Sequence, residues 1–111
     1  MEKFFLMLKD IKKNPYIFIG EKSVKLLHAY ILGYIGRDID NSYDIWEVLN
    51  GFQVYISKRY GLNTTHSWSS IIRFFSTTDE ESFDLFYKHF EEYLRTLEMC
   101  ERIKRKEENE D

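Results

Sequence analysis

Apolar residues recur along the chain three and four positions apart, the spacing that gathers them on one face of an α-helix, and no stretch of useful length alternates apolar and polar as a half-buried strand does. The pattern predicts five main helices. In the first, Phe4, Phe5, Leu8 and Ile11 share a stripe, with Lys3, Lys9, Lys12 and Lys13 largely off it. Pro15 drives Asn14 out of the helical region, so this helix ends by about Lys13. The run Tyr16-Ile17-Phe18-Ile19 is then expected to cross to Gly20 as an extended, buried connector. Gly20 itself is expected in a backbone conformation that Ala would resist. A second helix starts near Ser23 as N-cap and carries Leu26, Leu27, Tyr30, Ile31, Tyr34 and Ile35. Gly33 inside it suggests a close helix crossing, and Gly36 marks its end.

A polar connection leads to a third helix from Tyr43 or Asp44 to Tyr60, with Ile45, Val48, Leu49, Phe52 and Ile56 inward and Gly61 placed as its C′ residue. The loop 63–66 offers N-caps for a short helix carrying Trp68, Ile71, Ile72 and Phe75. Thr77 and Thr78 precede Glu80 and Glu81 at the spacing of a capping box, with Asp79 favoured by the helix dipole. A long C-terminal helix follows, whose Phe83, Phe86, Tyr87, Phe90, Leu94 and Leu97 hold the helical rhythm. From Glu101 onward the chain is charged, and residues 104–111 read as a frayed tail in solvent. The expected fold is all-α: one compact bundle over residues 1–111, in which Phe52, Trp68, Ile72, Phe83, Phe86 and Phe90 are buried together.

Composition narrows the function classes. A chain of 111 residues has room for one domain, and 43% hydrophobic residues with 17% aromatics can bury enough area to order it. Sixteen Lys and Arg against nineteen Asp and Glu give a net charge of -3, which argues against a dedicated nucleic-acid binder. The single cysteine, Cys100, excludes an intramolecular disulfide and reads as an inert or surface thiol. The apolar run at 4–8 is shorter than the roughly 7 to 15 residues of a signal-peptide core, and no stretch approaches the roughly 20 apolar residues of a membrane span. A cytoplasmic location is the expectation.

Candidate chemistry is thin. His28, His66 and His89 form no ligand pair at helical spacing, so no metal site and no cofactor is expected. His28 and His89 read as boundary histidines, and His66 as a loop or cap residue. Ser67, Ser69 and Ser70 read as capping and surfacing a helix start, because no nucleophile elbow or base accompanies them. The helical spacing of the aromatics assigns most of them to the core, while tyrosine hydroxyls that reach the surface could anchor an interface. Two acidic groups are the candidates for a partner-binding surface, against the plainer reading of a solvated helix face whose first-turn acids answer the helix dipole. Asp38, Asp40, Asp44 and Glu47 surround the start of the third helix with only Arg37 nearby, and Asp79, Glu80, Asp84 and Glu91 lie along the last helix with Lys88 as the local base.

Two stretches carry a family resemblance. Asn14-Pro15-Tyr16-Ile17-Phe18-Ile19-Gly20, running into Leu26-Leu27, Tyr30 and Gly33-Tyr34, resembles the Pro-x-x-Tyr/Phe-Ile-Gly opening of a family of small all-helical bacterial proteins. Phe52-Gln53 and Tyr55, Ser67-Trp68 with Ile71-Ile72 and Phe74, and Asp79-Glu80 with Phe83 and Phe86 fit the rest of that pattern. Some members resemble immunity proteins of contact-dependent inhibition and polymorphic toxin systems. The resemblance implies a non-enzymatic protein that binds a cognate toxin domain, a basic nuclease in the leading case, and blocks its active site. In such a complex carboxylates would take the place of substrate phosphates. Two alternatives stay open: a helical interaction or regulatory domain without a toxin partner, and a small enzyme, for which no nucleophile, metal cluster or phosphate loop is visible.

Overall fold

The computed structural model describes residues 1–108, the Cys100 side chain excepted, so the readings of the Cys100 thiol and of the last three tail residues lie outside the described residues. Helix α1 (Glu2–Lys13) buries Phe4, Leu8 and Ile11 and half-buries Phe5, as its stripe requires. The chain leaves the helix at Asn14 (φ -133°, ψ 60°) and immediately begins another, α2 (Pro15–Phe18). This corrects the expected extended connector. The proline ring presets a helical φ, and its missing N–H is not needed at a first helical position. The amides of Ile17 and Ile19 close the turn on the carbonyls of Asn14 (3.2 Å) and Pro15 (2.8 Å). The turn points Tyr16, Ile17 and Phe18 outward, and Ile17 is 80% exposed, so the run is not buried.

Gly20 then adopts a left-handed φ of 85°, as expected, and returns the chain to Ser23. The Ser23 hydroxyl accepts from the Leu26 amide (3.4 Å) and caps α3 (Val24–Gly36), which buries Val24, Leu27, Ile31 and Ile35. Gly33 lies on its exposed side, and a Cβ there would meet nothing within 4 Å. The expected close crossing is therefore not at Gly33.

The close approach occurs at Gly51 in α4 (Tyr43–Arg59), where the Tyr93 hydroxyl occupies the space a Cβ would need and donates to the Val48 carbonyl (3.1 Å). Helix α4 follows a 3-10 turn over Ile39–Asn41 and buries Ile45, Leu49, Phe52 and Ile56. It ends in a Schellman arrangement: Gly61 (φ 64°) donates to Lys58 (3.1 Å) and Leu62 to Ser57 (2.8 Å). Helix α5 (Trp68–Phe74) is capped by Ser67, whose hydroxyl accepts from the Ser70 amide (3.2 Å), and not by the loop 63–66. Gln53 fixes this entry from α4 by accepting from the Trp68 amide (2.6 Å) and donating to the His66 carbonyl (3.0 Å).

Helix α6 (Asp79–Glu108) starts from the expected capping box, in which Thr78 accepts from the Glu81 amide (3.0 Å) and Glu81 reaches back to Thr77. Its Phe83, Phe86, Tyr87, Phe90 and Tyr93 enter the core, whereas Leu97 is exposed. Phe52 is the hub of that core, with the rings of Phe90, Trp68, Phe86 and Tyr93 centred 5.2 to 5.7 Å away. All six residues expected to be buried together are buried there. The fold is all-α, and among the described residues the helix added to the five expected is the short α2.

Candidate functional site: an acidic edge beside a helix ridge

The two acidic groups meet different surroundings. Asp79 lies 3.5 Å from the Arg73 guanidinium, Glu80 and Asp84 share Lys22 at 3.8 and 3.5 Å, and Glu91 binds Lys12 at 2.8 Å. Each carboxylate of that group has a counter-charge brought in by another segment. Asp38, Asp40, Asp44 and Glu47 are all exposed along the 3-10 turn and the first turns of α4. Among the described residues, no Lys or Arg nitrogen comes within 4.0 Å of any of them. The Asp38 carboxylate accepts from Nδ2 of the Asn41 side chain (3.0 and 3.1 Å), and the Ser42 hydroxyl donates to the Asp38 carbonyl (2.6 Å), which fixes the turn. Arg37, the base adjacent in sequence, lies over the Tyr34 ring, 4.9 Å from its centre, and not against a carboxylate.

Sequence reasoning missed what lies beside these charges. Ile39 is 65% exposed, Tyr43 69%, Trp46 38% and Val54 53%. A tryptophan next to Ile45 but off the Ile45, Leu49, Phe52, Ile56 stripe was the available signal, since a residue off the buried stripe faces water.

Two of the histidines, His28 and His89, are tied into the packing of the bundle. His89 is 2% exposed, with the Tyr60 hydroxyl 2.7 Å from Nε2 and a Glu92 oxygen 3.2 Å from Nδ1. A neutral ring protonated on Nδ1 satisfies both partners. Tyr55 donates to the same Glu92 oxygen (3.0 Å). Burial pushes the Glu92 carboxyl up, but the hydrogen bonds from His89 and Tyr55, with the nearby positive charge of Arg59, outweigh it and hold the group below its ordinary value. The order hydroxyl, imidazole, carboxylate is that of a general-base relay. Burial, however, pushes the Tyr60 hydroxyl up, away from phenolate, and its oxygen faces a buried ring. The network ties α4 to α6, and His89 belongs to the interior, not the boundary.

His28 packs its ring 4.5 Å from that of Trp68 and places Nδ1 2.6 Å from the Ser69 hydroxyl, and burial lowers its pKa. Ser69 is thus a buried partner of His28 and not a surface serine. His66 lies exposed in the loop, its amide donating to Thr64 (3.1 Å). Among the described residues no three His, Cys, Asp or Glu side chains converge as a metal site, and no helix is long and apolar enough to cross a membrane.

An apolar groove of about 550 Å³ opens between Leu62, Ile71, Phe74 and Phe75, rimmed by Thr64, His66 and Ser70. Phe75 stacks on Tyr60 (4.5 Å, 14°), whereas Phe74 is 81% exposed. No protein-family model matches the chain, and neither a curated protein nor a solved structure is significantly similar to it.

Proposed function

We propose that the chain is an immunity-type protein, which binds a cationic toxin domain, in the leading case a nuclease, and neutralises it by covering its active site. The observation that carries the reading is the edge formed by Asp38, Asp40, Asp44 and Glu47, four exposed carboxylates without a basic partner among the described residues. Unpaired like charges at one edge cost folding stability through repulsion, and they speed encounter with a partner of opposite charge. The inhibitor acts by occupancy, with no reaction of its own. Co-expression with the product of a neighbouring toxin gene tests it: growth should be restored and a stable complex recovered. A neighbouring toxin that kills despite the protein, with no complex formed, removes the reading.

The exposed Phe74 beside its apolar groove favours a second reading, a helical interaction domain with no toxin partner. Under that reading a Phe74→Ser variant loses the partner, while charge reversal at Asp40 and Asp44 leaves it bound.

A further inference from the structure

Tyr43, Trp46, Asn50 and Val54 recur three and four residues apart on α4, on the side away from the buried Ile45, Leu49, Phe52 and Ile56, and all four are exposed. At about 1.5 Å of rise per residue they form a line about 16 Å long, one helix wide. Asp40, Asp44 and Glu47 border its first half, and Lys58 and Arg59 stand exposed at its far end. Helix propensity and core packing explain the inner face of α4 but give no reason to leave Tyr43 and Val54 mostly in water, and a Trp46 edge 38% exposed, on the outer one.

We infer that this ridge is the docking line for a basic amphipathic helix of a partner protein, lying along α4 with its Lys or Arg side chains over Asp40, Asp44 and Glu47. Its apolar side chains would pack on Tyr43, Trp46 and Val54. The shape selects the occupant, because a straight ridge one helix wide packs against another helix laid alongside it. The charge selects its sign. The anchors also suit an interface, since Trp and Tyr are among the side chains that most often carry binding energy. The inference deepens the toxin-inhibitor reading and rests on it for the class of partner, yet its test needs no toxin.

The probe is a fluorescently labelled synthetic helix of Leu and Lys at amphipathic spacing, compared by anisotropy with its counterpart in which Glu replaces Lys. The Lys peptide should bind the full-length protein. Affinity should drop at least tenfold in Trp46→Ala and in the double variant Asp44→Lys, Glu47→Lys, and it should weaken with salt. Phe74→Ser, on the separate apolar groove, should bind as the parent does. All these positions are exposed, and far-UV circular dichroism checks that each variant stays folded. Equal binding of the Glu peptide, unchanged affinity in both ridge variants, or an equal loss in Phe74→Ser would overturn the ridge. Should the ridge bind the Lys peptide while a neighbouring toxin is neither bound nor neutralised, the docking line stands and the toxin reading falls. Should Trp46→Ala neutralise the toxin as well as the parent, the ridge falls and the toxin reading stands.

Discussion

Gly51 is the glycine whose Cβ position is filled by another side chain. A Cβ there would collide with the Tyr93 hydroxyl and stand 3.1 Å from its Cζ, and the ring is held in place by its bond to the Val48 carbonyl. Gly51→Ala must push α6 from α4 or break that bond, so a loss of about 1 to 3 kcal/mol is expected, typical of overpacking. Gly33→Ala, in open space on an exposed helix side, should be neutral or mildly stabilising by helix propensity. Urea denaturation of the pair checks both, and equal effects would sink the assignment of the crossing to Gly51. His28 sets a pH dependence. Burial lowers its folded-state pKa from the ordinary 6.5, so below about 6.5 the unfolded chain binds the proton first. The stability that neutral His28 contributes is present above 6.5 and is lost as pH falls through the lower folded value. His28→Gln, which can still accept from Ser69, should flatten the change in denaturation free energy between pH 7.5 and 5.5, and an unchanged slope would assign it elsewhere.

At the scale of elements, α1, α3, α4 and α6 were legible because their apolar stripes and end signals agree: Ser23 caps, Gly61 closes and Thr78 pairs with Glu81 as those residue types should. The short run after Pro15 was not, since four apolar residues fit an extended connector as well as one turn of helix, and only the backbone around Asn14 decides between them. The cap of α5 was legible as one of Ser67, Ser69 and Ser70, although the loop 63–66 competed for the same role. Glycine presence is visible in a sequence, whereas the neighbour that makes it necessary is not, which is why Gly33 drew the expectation that belongs to Gly51. Helix α6 also separates packing from propensity. From Arg95 to Glu108 every described side chain is exposed, so that end is held by its own hydrogen bonds and by pairs such as Glu98 with Arg102 (3.1 Å), worth only about 0.3 to 0.5 kcal/mol. Ending the chain at Met99 should therefore reduce helical signal while changing unfolding free energy by no more than about 0.5 kcal/mol. Loss of cooperative thermal unfolding in that truncation would show that the end packs on the bundle.

At the scale of the whole molecule, a net charge of -3 conceals an uneven distribution. Along α6 the carboxylates meet lysines and an arginine from other segments, Lys12 reaching Glu91 across 79 positions, a pairing no local reading of charge could reveal. The edge at Asp38, Asp40, Asp44 and Glu47 receives none among the described residues, so its charge is left uncompensated by ion pairs. If a cationic toxin is the partner, the two acidic groups, equal candidates by sequence, are no longer equal. Asp40→Lys with Asp44→Lys should slow association with the toxin at least tenfold at low ionic strength and flatten its salt dependence, because the steering charge has changed sign. Glu80→Lys with Asp84→Lys should act mainly on the fold, since it sets two new cations beside Lys22 at the start of α6. Stopped-flow association at about 50 and 500 mM salt, paired with denaturation of each variant, separates the outcomes. A larger kinetic effect from the α6 pair, at unchanged stability, would move the partner to that face. No kinetic effect from either would leave the apolar side chains Tyr43 and Trp46 as the basis of recognition, with charge playing no part in encounter.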